Sequence, residues 1–217
     1  MALHVEAGGH ALALLPEKAL WWPEQRALLV ADVHIGKAVS FRALGVPVPR
    51  GTTDETLARL GALAERWAAK RIVFLGDFLH SAHSHAPRTL AALSRWRERH
   101  AALDLVLVRG NHDDRAGDPP AALGFSVVDE PLEIGGLALC HHPRPHPSRY
   151  VLAGHLHPCV SIGGRAHDRL RLACFHFGER VGVLLAFGAF TGMHAIERAR
   201  GDRVYVVGDG VVAALPG

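Results

Sequence analysis

The chain has 217 residues, 49% of them hydrophobic, and a formal net charge of +3 with histidine neutral. This length suits one domain, residues 1–217, and the apolar fraction is ample for a sizeable core. No apolar run approaches the roughly 18 to 20 residues that cross a bilayer. The N-terminus lacks a basic region followed by an apolar stretch, so no secretory signal is expected. The small positive charge permits contact with nucleic acid without arguing for it.

The numbers and positions of histidine and cysteine residues are more informative than the length and net charge. The chain holds 16 histidines, more than packing needs, and histidine is both a common metal ligand and an acid/base group. The three cysteines, Cys140, Cys159 and Cys174, form neither a metal-type spacing nor an even disulfide framework. We therefore predict a cytoplasmic protein with a histidine-rich site.

The first quarter of the chain predicts short strands followed by a buried strand and a helix. Residues 3–5 and 11–15 are strand candidates, and the adjacent Trp21 and Trp22 are interpreted as core or as the edge of a lid. Residues 28–31 form a continuous apolar run, typical of a central strand buried on both faces. A capping-box pattern at residues 52–55 then opens a helix with one apolar face.

Strand and helix signals continue to alternate up to residue 108. Residues 72–75 and 105–108 are strand candidates, and Pro87 can occupy the first turn of a helix between them. This order implies parallel pairing through helical crossovers. From Phe125 onward the pattern predicts a largely antiparallel half that packs sheet on sheet against the first. Its strand candidates are residues 125–128, 137–140, 150–153, 160–162, 170–177, 181–187 and 204–207.

Five short polar motifs each follow an apolar run. They are Asp32-Val33-His34, Gly76-Asp77, Gly110-Asn111-His112-Asp113, His141-His142 and Gly154-His155-Leu156-His157. Ligands of open α/β sheets bind outside the carboxyl ends of the strands, so we expect these motifs to converge. Carboxylates, imidazoles and an amide oxygen suit Mn²⁺, Fe or Zn²⁺, and they are numerous enough for two ions.

The ordered set of motifs, over residues 32 to 157, resembles the calcineurin-like binuclear metallophosphoesterase superfamily. Each motif alone is common, whereas all five in order are specific. The resemblance implies an α/β fold, a two-sheet α/β/β/α sandwich that is parallel-rich in its first half and antiparallel-rich in its second. Residues 34–38, 41–45 and 186–192 look like one branch, the bacterial ligase-associated DNA-damage-response phosphoesterase/endonuclease group called PdeM.

Carried over by position, the resemblance implies a site for two metal ions bridged by Asp77. His141 is favoured over His142 as a ligand because it follows the strand directly, and His142 would then face substrate or support the ligands. The first ion would be held by Asp32, His34, Asp77 and His157, and the second by Asp77, Asn111, His141 and His155.

The resemblance also implies the reaction. A hydroxide activated by both ions would attack phosphorus in line, so no separate strong base is needed. His112 would stabilise the developing charge or protonate the leaving oxygen, while Asp113 orients the turn. His80, Lys37 and Arg42 are candidates for binding substrate phosphate, with a solvated surface role as the alternative for each.

The leading hypothesis is a metal-dependent phosphodiesterase, an endonuclease on single-stranded DNA in repair, with Mn²⁺ as the expected metal. DNA is the expected partner, and a helicase and a ligase are candidate protein partners. The DNA assignment rests on the branch resemblance, with modest support from Arg88, Arg95, Arg97, Arg99, Arg165, Arg169 and Arg171. The alternatives are a phosphodiesterase or phosphatase acting on a cyclic nucleotide or nucleotide-linked diphosphate, and a non-catalytic scaffold. A scaffold should have lost ligands, yet every ligand position is filled.

Overall fold

Two mixed β-sheets pack face to face in the computed structural model, which describes residues 1–49, 51–163 and 169–216. Helices cover the outer face of the first sheet. The predicted two-sheet α/β sandwich is confirmed. Arg165, whose charge supported the DNA assignment, lies outside the described residues. None of the described helices is long and apolar enough to cross a membrane.

The first sheet contains seven strands in chain order. Strands β1 to β4 are antiparallel, whereas β4 to β7 are parallel. The alternation of strands and helices predicts the parallel pairing of β4, β5 and β6. The strands are β1 Leu3–Ala7, β2 His10–Leu15, β3 Ala19–Trp22, β4 Ala27–Val30, β5 Arg71–Leu75, β6 Asp104–Val108 and β7 Phe125–Val128. The helices are α1 Lys37–Ala43 and α2 Thr52–Arg66 after β4, α3 Pro87–Arg99 after β5, and α4 Asn111–Ala116 after β6.

The second sheet is richer in antiparallel pairs, but its centre is parallel. Strands β9, β10 and β13 run parallel to one another, and β11 runs parallel to β14. The other pairs are antiparallel. The strands are β8 Leu132–Ile134, β9 Leu137–Leu139, β10 Tyr150–Ala153, β11 Pro158–Gly163, β12 Arg169–Phe177, β13 Val181–Val183, β14 His194–Ala195, β15 Arg203–Gly208 and β16 Val211–Ala214.

Alternate residues of the first sheet enter two different cores. Leu28 and Phe74 pack against α2 and α3, whereas Leu29 and Val73 pack against the second sheet. The tryptophan pair divides in the same way, because successive side chains of a strand point to opposite faces. Trp21 joins the helical core and Trp22 the core between the sheets, so both are buried as predicted.

A helix start, the pairing of one strand and the end of another strand differ from the predictions. Thr52 is not the N-cap of α2, because Gly51 holds that place with a φ of 93° and its carbonyl accepts the Glu55 N–H. Strand β7 was expected in the antiparallel half, yet it pairs parallel with β6 in the first sheet. The strand predicted over residues 181–187 ends at Val183, because the chain then crosses to the first sheet, where Ala186 pairs with Ala31.

Candidate metal centre

All five polar motifs lie at one edge of the sandwich, where parallel strands of both sheets end. Asp32 follows β4 and Asp77 follows β5, and the backbone ties them together, since the His34 N–H donates to the Asp77 carbonyl at 2.8 Å. His141 follows β9, and the Gly154 N–H, next to His155, donates to the His141 carbonyl at 3.1 Å. The carboxyl ends of parallel strands therefore bring the motifs together, as expected.

One group of side chains forms around Asp32, His34 and His157. The Nε2 atoms of His34 and His157 lie 3.4 Å apart, and His157 Nε2 lies 3.6 Å from Asp32 Oδ1. His157 Nδ1 donates to the Gly192 carbonyl at 3.0 Å, which leaves the Nε2 lone pair directed into the group. His34 Nε2 also lies 3.8 Å from Asp77 Oδ2, so Asp77 borders this group.

A second group forms on the other side of Asp77. His141 Nε2 lies 3.0 Å from Asn111 Oδ1, 3.0 Å from His155 Nδ1 and 3.5 Å from Asp77 Oδ1. His141 Nδ1 donates to the Leu75 carbonyl at 3.1 Å, so its Nε2 carries a lone pair. Lone pairs of nitrogen and oxygen therefore converge here around a buried carboxylate, which is a donor set that fits a divalent cation.

The backbone at the candidate ligands is strained. Ten described non-glycine residues have positive φ, and five of them are candidate ligands. Such conformations cost about 1–3 kcal/mol each and persist where the surroundings enforce them, which is common at functional sites. The five are Asp32 (53°), His34 (50°), Asp77 (53°), His155 (71°) and His157 (49°).

Burial sets the protonation of most of these side chains. It lowers the pKa values of His34, His141 and His155, which favours the neutral imidazole that binds metals. Burial also raises the pKa of Asp77, although the His112 N–H and nearby histidines oppose it. His157 is the exception: burial acts to lower its pKa, but the adjacent Asp32 carboxylate outweighs burial and raises it.

Close contacts with neighbouring residues require glycine at Gly76 and Gly110. Gly76 has a φ of 77°, and a Cβ atom there would lie 2.1 Å from His141 Nδ1. A Cβ on Gly110 would lie 2.5 Å from Asp77 Oδ1. Neither contact is possible, so Gly76 lets His141 of the second sheet approach the first sheet, and Gly110 lets the Gly-Asn-His-Asp turn pack against Asp77.

His112 lies beside the first group, and a hydrogen bond to the backbone fixes the orientation of its ring. Its Nδ1 donates to the His80 carbonyl at 2.8 Å, and its N–H donates to Asp77 Oδ1 at 2.9 Å. Its Nε2 lies 4.0 Å from Asp77 Oδ2. The His80 ring stacks on the His112 ring at 4.8 Å, and burial, with Lys37 and His112 nearby, lowers the pKa of His80 to about 4.

Asp113 supports the motif's turn, as expected. Its carboxylate is fully buried and accepts hydrogen bonds from the N–H groups of Leu79 and Gly110, at 2.9 and 3.0 Å. Burial raises the pKa of Asp113 to about 6 despite these bonds. Its contacts are therefore with the backbone beneath the site.

Glu130 is a residue of the site that no sequence motif indicated. Its carboxylate accepts hydrogen bonds from the His141 N–H, the His142 N–H and His142 Nδ1, each at 2.8 Å. Burial acts to raise the pKa of Glu130, but these bonds outweigh it and lower the pKa. Glu130 thus fixes the positions of His141 and His142. Of these two histidines, His141 is the one that contacts Asn111 and Asp77.

The two predicted phosphate-binding cations lie in different places. Lys37 begins α1 beside His34 and is half-buried; burial lowers its pKa, while the charges of Asp77 and Asp32 act in the opposite direction. Arg42 lies outside the cluster, because its Nη1 donates to the Pro49 carbonyl at 3.1 Å and the side chain is exposed. It faces a groove between helices instead.

Comparison with known proteins agrees with this geometry. A family model described as calcineurin-like phosphoesterase matches residues 25–178. The crystal structure of Pseudomonas putida nuclease MPE is similar over 99% of this chain and 100% of that chain, with 48% identity and a TM-score of 0.88.

Two further structures are more distant. The phosphoesterase YfcE from E. coli shares 14% identity over 87% of this chain and 97% of that chain, with a TM-score of 0.41. A protein of unknown function from Aquifex aeolicus shares 16% identity over 60% and 78%, with a TM-score of 0.40. A comparison with curated proteins finds no match.

Proposed function

Because this chain belongs to the calcineurin-like phosphoesterase family and is a metal-dependent phosphoesterase, we propose that it hydrolyses phosphodiester bonds of single-stranded DNA as an endonuclease. The observation that carries the proposal is that two groups of candidate ligands both lie within 4 Å of Asp77, at one edge of the sandwich. The likeness to the Pseudomonas putida nuclease supports a nucleic-acid substrate.

The proposed ligands divide into two sets that share Asp77. When bound, two divalent ions supply an activated water as the nucleophile and neutralise charge on the phosphoryl oxygens. Mn²⁺ is the proposed metal, with Fe and Zn²⁺ as alternatives that the same donors accept. The first set is Asp32, His34, Asp77 and His157, and the second is Asp77, Asn111, His141 and His155.

His112 is the proposed catalytic residue of the leaving-group side. Its Nδ1 is committed to the His80 carbonyl, so Nε2 is the atom that holds and delivers a proton. The leaving group of a DNA strand is an alkoxide, which departs poorly unless it is protonated. A positioned acid contributes about 10²- to 10⁴-fold to the rate of its departure. His112 Nε2 lies 4.0 Å from Asp77 Oδ2, which places it at the edge of the first ligand group.

The substrate phosphate is proposed to contact Lys37, His80 and His142. Lys37 supplies positive charge at the edge of the first ligand group. The lowered pKa of His80 keeps its ring neutral near pH 7, so it offers an N–H donor instead of charge. His142 is anchored to Glu130 through Nδ1, which leaves Nε2 to face the substrate.

The biological setting is part of the proposal. We place a single domain, residues 1–217, in the cytoplasm, acting in DNA repair, where a helicase and a ligase are candidate partners. The repair role is supported by the sequence resemblance to the PdeM group. The compartment is supported by Cys140, Cys159 and Cys174, which are free and buried, because free cysteines are usual in reducing surroundings.

A direct experiment compares two substrates on the Mn²⁺-loaded protein. We expect a labelled single-stranded oligonucleotide to be cut internally, and a cyclic nucleotide to be hydrolysed poorly. Efficient turnover of the cyclic nucleotide without cleavage of the strand would replace this proposal with the small-molecule alternative. Hydrolysis of neither substrate with Mn²⁺, Fe²⁺ or Zn²⁺ would contradict phosphodiesterase activity altogether.

A further inference from the structure

A groove of about 650 Å³ opens between α1, the start of α2 and α3. Arg42, Arg88 and Arg95 line it, and Asp54 is the one carboxylate among its described lining residues. Three arginines against one aspartate leave an excess of two positive charges. Asp54 Oδ1 lies 3.5 Å from Arg95 Nη2, but both side chains are more than half exposed, so this ion pair is weak. The groove is therefore a cationic surface that solvent reaches.

The groove lies near the candidate metal centre. Thr52 and Thr53 line both the groove and a smaller cleft, whose wall includes His34 and Lys37. Helix α1 joins the two places, because Lys37 is its first residue and Arg42 lies in its last turn. Helix α1 therefore carries one cation, Lys37, beside the candidate ligands and a second cation, Arg42, at the groove.

The cleft between the groove and the metal centre also presents an aromatic ring. Phe190 lies on the wall of the cleft and is 45% exposed. Its backbone has a φ of 58°, so the surrounding structure holds this residue in a conformation that a phenylalanine seldom adopts. Exposed aromatic rings beside cationic grooves are the surfaces on which unpaired bases stack.

We propose that the groove binds the sugar-phosphate backbone of single-stranded DNA next to the phosphate that is cleaved. Arg42, Arg88 and Arg95 contact backbone phosphates, and Phe190 stacks on an unpaired base at the entrance to the metal centre. This role rests on the proposed phosphodiesterase function and adds the path of the strand. It also gives Arg42 a function away from the metal ligands.

The test compares single charge reversals inside and outside the groove. Arg88→Glu and Arg95→Glu change exposed residues of α3. Lys70→Glu is the matched control, because Lys70 is exposed and precedes β5 at the opposite edge of the sheet. Fluorescence anisotropy measures binding of a labelled oligothymidylate with EDTA present, so that the strand stays intact. The kcat/KM of each Mn²⁺-loaded protein is then measured for the strand and for a small chromogenic phosphodiester.

Each groove variant should weaken strand binding about tenfold, and the slope of log affinity against log salt should fall by about 0.7 for each phosphate that the protein no longer neutralises. The kcat/KM for the small diester should stay within about twofold of wild type, since that substrate does not reach the groove. If the groove variants bind the strand with the same affinity as Lys70→Glu, the groove does not bind the strand. A wild-type protein that hydrolyses neither substrate would contradict the phosphodiesterase function, while the binding data still decide the groove.

A separate experiment tests whether an unpaired base stacks on Phe190. Phe190→Ala should weaken strand binding about tenfold without a change in salt slope, because stacking carries no charge. Val211→Ala, at another exposed apolar residue, is the control and should bind as wild type does. A duplex of the same length should compete poorly with the labelled strand. Equal competition by the duplex, or wild-type binding by Phe190→Ala, would show that no unpaired base stacks there.

Discussion

The candidate metal centre and the arginine groove are built in opposite ways. In the centre, Asp32, Asp77 and His141 are buried and have left-handed backbones or backbone hydrogen bonds that fix them. In the groove, Arg88 and Arg95 are exposed and project from the surface of a helix. The centre is therefore rigid before substrate arrives, whereas the groove side chains can adjust to a strand.

This difference separates two tasks. Bond cleavage needs donors that stay in place while charge develops, because reorganisation during the reaction raises the barrier. Binding a polyanion needs positive charge and tolerates loose geometry. We therefore expect changes in the centre to abolish chemistry on every diester, and changes in the groove to weaken long substrates alone.

The largest effect should come from Asp77→Ala, because Asp77 borders both ligand groups. Hydrolysis of the strand and of the small diester should both fall below detection, and the metal content measured by mass spectrometry should drop. Asp129→Ala, at an exposed carboxylate, is the control and should change neither. If Asp77→Ala keeps its metal content and turnover, the centre is not the site of hydrolysis, and the contrast between the centre and the groove is wrong.

His112→Asn should lower kcat by about 10²- to 10⁴-fold on DNA while leaving the metal content unchanged. The loss should be much smaller for a diester with a nitrophenolate leaving group, which departs without a proton. Steady-state kinetics on both substrates measure the two losses. An equal loss on both would mean that His112 acts on the phosphate or the fold and not on the leaving oxygen.

Glu130→Gln should weaken metal binding by about 10- to 100-fold, because residues that orient ligands have effects of this size. The amide cannot accept all three hydrogen bonds that the carboxylate accepts from His141 and His142. Isothermal titration of the EDTA-treated protein with Mn²⁺ measures the affinity. Glu133→Gln, at an exposed carboxylate, provides the control. Wild-type affinity in Glu130→Gln would leave Glu130 without a role in the centre.

The smallest effect is expected far from both regions, at Asp202. Burial acts to raise the pKa of Asp202, but the hydrogen bonds from His176 and the Ala199 N–H outweigh it and lower the pKa. A lowered folded-state pKa stabilises the protein above the unfolded pKa of about 3.9, and this stability is lost as pH falls through the folded value.

Asp202→Asn should accordingly reduce the free energy of unfolding by about 1 kcal/mol near pH 7 and leave both kcat/KM values unchanged. Urea unfolding at two pH values measures the difference, which should shrink in acid. A difference that grows as pH falls would contradict the sign of the shift.

The sequence predicted the convergence of the five motifs because each motif follows a strand. A buried apolar run marks each strand end, and parallel strands bring those ends to one edge, so Asp32, Asp77 and Asn111 could be placed from local pattern alone. Asp113 could be placed in the turn for the same reason. The parallel centre of the second sheet was missed because the strands β9, β10 and β13 are too short to show how they pair.

What the sequence did not reveal depends on long-range contacts. Glu130 is one carboxylate among many until the fold brings it to His141 and His142, residues 11 and 12 places away. Arg42 follows a metal motif in sequence, yet α1 carries it away from the ligands and toward Arg88 and Arg95. Proximity in sequence brought candidate residues together where a motif directly follows a strand, and it failed for Arg42, which the helix α1 separates from the motif.

The most direct test is a crystal structure of the Mn²⁺-loaded protein with anomalous scattering measured at the manganese edge. We predict two peaks flanking Asp77, one within reach of Asp32, His34 and His157, and the other within reach of Asn111, His141 and His155. A single peak, a peak held by His142 in place of His141, or peaks elsewhere in the molecule would contradict the two-metal centre.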